Sequence, residues 1–266
     1  VARPDFALVG PGRLGLRLAD RLVARGLRCV AVRGRRPATA ERSLPAATWD
    51  TWDEPAAWRA PALVFVCVPD RAVAAVGLDL ARRNDLDGAA ILHTSGLLTA
   101  DALAPLRRCG ATVASWHPLQ SFPAQALEPT RWDGVPCAIE GDATAVEAGF
   151  AVAAAIGLQP WRIRPEDKPL YHAAAAVAAN LTYLLVASAG TILADLGLPP
   201  EGDPHPLAPL LDTVVRTALS GAGLAGLTGP LARGDHETVA RHLEVLPPTL
   251  AEAYRTLARL AAEWRG

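Results

Sequence analysis

Lysine is almost missing from this chain of 266 residues: Lys168 is the only one, and the other basic side chains are arginines. With the abundance of Ala, Leu, Gly and Pro, this reads as a mutational bias toward particular codons. Arginine counts therefore carry less functional weight than usual, and the solitary lysine carries more. Cysteine is also scarce, with four residues (Cys29, Cys67, Cys109 and Cys137) and no CxxC pair. That spacing excludes a zinc site or a disulfide framework and suits a reducing cytoplasm. Net charge is near zero, at −1, so nothing points to a polyanion partner and nucleic acid is excluded. The start lacks a charged segment followed by an apolar one, so no signal peptide is expected.

Between Lys168 and Asp195 there is no Asp, Glu, Lys or Arg, a span long enough to cross a bilayer. It carries His172, Asn180, Thr182, Ser188 and Gly190, and much of its apolarity is alanine. A central buried helix at a subunit interface is expected, with no membrane partner.

What the chain does have begins at residue 10. Gly10-Pro11-Gly12-Arg13-Leu14-Gly15 follows the apolar run Phe6-Ala7-Leu8-Val9 and opens a helical pattern. This is a dinucleotide-binding fingerprint in its proper setting, a strand turning sharply into a helix. Gly10 makes the turn, Gly12 lets the backbone approach a pyrophosphate, and Gly15 lets the helix pack on its strand. The helix start offers unpaired N–H groups and a positive dipole end to phosphate. Arg13 at that start is unfavourable by itself, but beside a bound phosphate it has a partner.

The second strand, over 28–32, runs into Arg33-Gly34-Arg35-Arg36. A carboxylate here would hold the ribose 2′-OH of NAD, whereas arginine accommodates a 2′-phosphate. Three guanidinium forks stand in its place, so NADP is the expected cofactor.

Beyond that turn, residues 37–61 form an irregular Pro/Trp-containing stretch with no clear third strand. Leu63 to Val68 reads as a buried parallel strand ending in Pro69-Asp70. Further strands are expected at 89–93 and 112–116, with weaker ones at 136–139 and 160–163, and helices to about 83, over 99–108 and over 143–156. This βαβ series predicts a Rossmann-type doubly wound, mainly parallel α/β sheet. From 167 the period becomes helical, at roughly 168–197, 206–222, 236–246 and 248–264. The expected domains are therefore a dinucleotide-binding unit over 1–165 and an all-helical unit over 166–266.

Ligands of open parallel sheets bind beyond the carboxyl ends of the strands. Val68, Pro69 and Asp70 fall there, beside the cofactor. So do Ser95 and His117, expected to polarise the reacting oxygen and to exchange its proton; histidine ordinarily titrates near neutrality. Ser95 also suits a turn or a helix cap. Lys168, His172, Ala176 and Asn180 recur every four residues along one drifting helical face. Lys168 and Asn180 stand about 18 Å apart along the axis, so they do not hold the same atom of a small substrate. Arg233, before the N-cap Asp235, can hold a substrate carboxylate or belong to a plain interhelical loop.

The ordered set GPGRLG, Cys67-Val68-Pro69-Asp70, His93-Thr94-Ser95-Gly96, Ser115-Trp116-His117-Pro118-Leu119-Gln120, Tyr171-His172-Ala173-Ala174 and Leu227-Thr228-Gly229-Pro230 with Arg233-Gly234-Asp235 spans nearly the whole chain. It resembles the Rossmann-like oxidoreductases whose helical C-terminal domain is of unknown function. They sit within the wider superfamily of 6-phosphogluconate dehydrogenase, ketopantoate reductase, pyrroline-carboxylate reductase and prephenate dehydrogenase. The resemblance implies NADP(H), hydride transfer to or from a small carbonyl, hydroxyacid or imine, a cleft between the domains, and a homodimer formed through the helical part. It also implies that Ser95 matches the serine loop and His117-Pro118 the His-Pro motif of prephenate-type enzymes. One departure stands out: where the hydroxyacid branch has Lys-x-x-x-Asn, the position four before Asn180 is Ala176. That absence keeps two alternatives open, a non-catalytic NADP-binding sensor and a reductase of deazaflavin.

Overall fold

The structure is a computed structural model and describes residues 5–34, 44, 47–51, 61–83, 85–124, 130–198 and 205–264. The apolar run after Asp5 forms β1 (Asp5–Val9), which is paired in parallel on both sides, by β2 (Arg28–Arg33) and β4 (Leu63–Val66). A strand with neighbours on both edges and helices on both faces needs near-continuous apolar residues, and β4 is buried at every position. Eight strands follow the order β3-β2-β1-β4-β5-β6-β7-β8, with β3 at Thr48–Asp50, β5 at Ala90–His93, β6 at Thr112–Pro118, β7 at Pro136–Gly141 and β8 at Gln159–Arg162. All pairs are parallel except β6 with β7. The sheet thus reads as the expected doubly wound, mainly parallel α/β architecture.

Side chains alternate across this sheet. On one face Phe6, Leu8, Phe65, Leu92 and Trp116 pack with α1 (Arg13–Ala24) and, further along the chain, α3 (Ala143–Ala155). On the other, Ala7, Val9, Val64, Val66, Ile91 and Val113 meet α2 (Asp70–Arg83) and a 3-10 helix over Ala100–Cys109. Trp116 is wholly buried and donates its indole N–H to the Gly149 carbonyl at 2.9 Å, the usual requirement for an indole inside a core.

Two expectations change here. The stretch 37–61 does hold a third strand, Thr48–Asp50, too short to show a period in sequence. The helix expected over 99–108 is a 3-10 helix containing Pro105, because proline cannot donate the α-helical backbone bond.

The chain divides into two compact units, Val1–Ala179 and Asn180–Gly266, rather than at residue 165. The single helix expected over 168–197 is interrupted: α4 (Lys168–Ala176), a π-helical turn (Val177–Leu181) and α5 (Thr182–Asp195). By length and hydropathy, Pro165–Asp195 would suffice to cross a membrane. The second unit continues with α6 (Ala208–Leu219), α7 (Gly229–Arg233), α8 (His236–Val245) and α9 (Pro248–Glu263). Asp235 caps α8 as its sequence position implies, accepting the Thr238 N–H at 3.0 Å.

Candidate functional site

The strand order reverses between β1 and β4, the topological switch point where open α/β sheets hold ligands. Gly10 sits there with φ +92, and a Cβ on it would stand 2.5 Å from the Cys67 carbonyl oxygen. Gly15 is equally constrained, because its Cβ would run into the Gly10 carbonyl. Gly12 differs, since a Cβ there would meet nothing within 4 Å. Backbone is thus bared to open space at the start of α1, whose N-cap is Gly12 itself. No side chain caps this helix start and no acidic residue stands in its first turn. Uncapped N–H groups with a positive dipole end fit a pyrophosphate. Arg13 is exposed beside them. Pro11 lies against Gly34, whose Cβ would come within 2.5 Å of the proline Cδ. After β4, Val68 and Pro69 lead to exposed Asp70, the first residue of α2.

Arg33 does not take the role expected of it. Its side chain is 1% exposed and bound to Asp50 at 2.6 Å, with Asp79 at 3.4 Å. A buried guanidinium committed to two carboxylates braces the ends of β2 and β3 and is not offered to a phosphate. The expectations for Arg35 and Arg36 lie outside the described residues.

A polar cluster gathers at the carboxyl ends of β5 and β6. His93 accepts the Ser95 N–H at Nδ1 (3.2 Å) and lies 3.0 Å from the Thr99 carbonyl through Nε2. An amide donor on one ring nitrogen and a carbonyl on the other require the neutral Nε2–H tautomer. Burial foremost pushes the His93 pKa down to about 4, against the raising effect of the Thr99 carbonyl. Ser95 accepts the N–H groups of Leu98 (2.9 Å) and Leu97 (3.2 Å) at Oγ. Both lone pairs hold the turn, so its hydroxyl hydrogen is what remains to offer a ligand.

Lys168 is 0% exposed, which removes it from direct contact with a ligand. Its Nζ donates to the Ser115 hydroxyl at 2.6 Å and to the Ser95 carbonyl at 3.2 Å. Ser115 in turn donates to the same carbonyl at 3.1 Å. Desolvation pulls the Lys168 pKa down, while Glu140 and Asp70 oppose this. Among the described residues, no carboxylate lies within ion-pair distance of it.

His117 is part-buried, with Nδ1 2.9 Å from the Tyr171 hydroxyl. It meets the rings of Tyr171 and His172 edge-on, at 5.6 and 5.9 Å between centroids. Gly96 closes this group, since a Cβ there would lie 2.5 Å from His172 Nδ1 and 2.9 Å from His117 Nε2. His172 Nδ1 is buried without a hydrogen-bond partner. The near-neutral titration expected of His117 is corrected here. Burial takes its pKa down to about 3, and the charges of Lys168, His172 and His93 act in the same direction. Burial raises Tyr171, which stays a phenol. When that phenol donates to Nδ1, the His117 proton sits on Nε2.

The site thus unites Ser95, His117, Lys168 and His172 with two residues sequence reasoning missed, Ser115 and Tyr171. The signals were present: Ser115 precedes His117 by two on a strand, and Tyr171 follows Lys168 by three on a helix. Asn180 falls in the π-helical turn that follows α4 rather than in α4 itself. Asn180 and Arg233 both belong to the second unit, with Arg233 ending α7.

A sheet switch point with a bared glycine turn defines a Rossmann-type protein. The sequence matches the Rossmann-like domain family over residues 1–118 and the domain of unknown function DUF2520 over 135–261. These matches place the chain among the Rossmann-like proteins that carry this C-terminal domain. No curated protein matches. Among solved structures it is similar to a provisionally named NADP oxidoreductase from Bacteroides fragilis, at 23% identity over 98% of both chains with a TM-score of 0.83. A Thermotoga maritima protein shares 26% identity over 97% of both chains, with a TM-score of 0.71. An imine reductase from Myxococcus stipitatus, solved with NADP+, shares 16% identity over 98% of this chain and 94% of its own, with a TM-score of 0.68.

Proposed function

We propose that this protein is an NADP(H)-dependent oxidoreductase acting on a small carbonyl, hydroxyacid or imine. The observation that carries the reading is the bared Gly12 backbone at an uncapped helix start, on the same carboxyl edge of the sheet as His117. The bound nicotinamide supplies or takes the hydride. This chain orients the substrate and holds its reacting atom: His117 presents Nε2, Tyr171 fixes the imidazole through Nδ1, and Gly96 leaves room for both rings. Arg13, Arg35 and Arg36 are assigned to the 2′-phosphate. The cofactors named with the Bacteroides and Myxococcus structures favour NADP over NAD.

Asn180 and Arg233 are assigned to the substrate on the family resemblance alone. A homodimer is proposed through α5, where Tyr183 and Leu184 are exposed and Asp195 at the last position is the one charged residue of the helix. A cytoplasmic location is proposed with these assignments, on cysteines that are free and form no CxxC pair.

Titration with NADP+ and NAD+ tests the cofactor. Replacing Arg35 and Arg36 by Ser should lower the NADP+/NAD+ affinity ratio; an unchanged ratio contradicts the phosphate assignment. His117→Ala should lower kcat/KM by about 10²–10³, the loss of one hydrogen-bond donor to the reacting oxygen, while leaving NADP+ affinity nearly unchanged; a normal rate would remove His117 from the mechanism.

A further inference from the structure

The two buried cations of the sheet unit are treated differently. Arg33 is held by carboxylates. Among the described residues Lys168 donates to uncharged acceptors, the Ser95 carbonyl and the Ser115 hydroxyl, although a buried charge ordinarily has an ionic partner. Ser115 lies within β6 two residues before His117, and Ser95 lies just beyond β5, next to Gly96. A positive charge inside a low-dielectric wall projects its field farther than one in water.

We propose that the polar edge formed by Gly96 and His117 at the carboxyl ends of β5 and β6 is selective for an oxygen acceptor, a ketone or aldehyde carbonyl and the hydroxyl it becomes, and rejects a protonated imine. This narrows the oxidoreductase reading and rests on it. A carbonyl oxygen accepts hydrogen bonds and gains negative charge as it is reduced, which suits an N–H donor backed by a buried ammonium. A protonated imine presents a donor and a positive charge. The groups it meets are a cation and the neutral imidazole of His117, with no contacting carboxylate among the described residues.

The charged and titratable groups around this point come from every element packed there. His93 stands on β5, His117 on β6, and Lys168, Tyr171 and His172 on α4. Asp70 begins α2, and Cys137 and Glu140 stand on β7. Asp70 and Glu140 attract Lys168 from beyond ion-pair distance. The Glu140 carboxylate is engaged by the Ala100 N–H at 2.8 Å, and burial raises its pKa toward the neutral form. Neither carboxylate provides a counter-charge in contact with the His117 edge.

The test needs no turnover. The imidazole signals of His117, identified by their loss in His117→Asn, are followed by NMR in the full chain during addition of sodium acetate or pyrrolidinium chloride. Acetate represents the oxygen acceptor and pyrrolidinium the cyclic iminium. Acetate should shift the His117 signals and bind at least about tenfold more tightly than pyrrolidinium, and Lys168→Met should shrink that preference. Equal or tighter pyrrolidinium binding, silence toward both probes, or an undiminished preference in Lys168→Met would overturn the proposal. The wild-type comparison decides even if the variant fails to fold. NADP+ binding, measured separately, tests the oxidoreductase reading, so the two failures are distinguishable.

Discussion

Arg33 and Lys168 are both sealed inside the sheet unit, yet their surroundings are opposite. Arg33 closes the end of β2 against Asp50 and Asp79, an arrangement whose effect is local because the charges cancel. Lys168 sits beneath the β5 and β6 ends with two neutral acceptors, so its charge is felt by the histidines around it. A cation in contact with carboxylates holds strands together, whereas one in contact with neutral acceptors acts on the potential around it. Sequence alone gave Arg33 to the cofactor and counted the solitary Lys168 among the candidates for the site.

Breaking the Arg33 pair should have the largest effect. Arg33→Met leaves Asp50 buried without its partner and should cost about 3–5 kcal/mol in denaturant unfolding. The NADP+/NAD+ affinity ratio should not follow the loss; a ratio that falls would return Arg33 to the phosphate. Next comes Gly10→Ala, which places a Cβ against the Cys67 carbonyl at a positive φ. Backbone strain of this kind costs about 1–3 kcal/mol, and calorimetric titration should show dinucleotide binding lost. Wild-type affinity in that variant would contradict the close approach at the turn.

The histidines sharpen the comparison through pH. His117 and His93 are held neutral in the fold, at about 3 and about 4, against an ordinary value of 6.5. The unfolded chain therefore takes up protons first. Their contribution to stability is complete above about pH 6.5 and is lost as the pH falls through 4 and then 3. Unfolding free energy measured from pH 7 to pH 4 should decline, and His117→Asn should decline less steeply; parallel slopes would argue against a depressed His117. The smallest effect on stability is expected for Lys168→Met. Replacing a buried ion by an apolar side chain of similar size is often neutral or stabilising, so a large destabilisation would mean that Lys168 serves the fold more than the pocket.

The glycine turn was legible in sequence because its chemistry is local: strand, three glycines and helix are contiguous, and the structure gives each glycine a distinct surrounding. Most strands were legible for the same reason, as runs of apolar residues. Thr48–Asp50 was not, since three residues carry no period. The polar cluster was half legible. His117 and Ser95 stood out at strand ends, but Ser115 acquires meaning only when Lys168, 53 residues away, reaches it. The π turn that holds Asn180 was not legible, because it leaves no obvious mark in an alanine-rich helix. Arg33 was misread because the carboxylates that claim it come from an unread strand and from the middle of α2.

The central claim is that Lys168, with no carboxylate in contact among the described residues, projects its charge onto a neutral His117. Its most direct test is the titration of the His117 imidazole by NMR, in the wild type and in Lys168→Met. The wild type should stay neutral down to a midpoint of about 3, and the variant's midpoint should move upward. A wild-type midpoint near 6.5, or one that Lys168→Met leaves unmoved, would contradict the account.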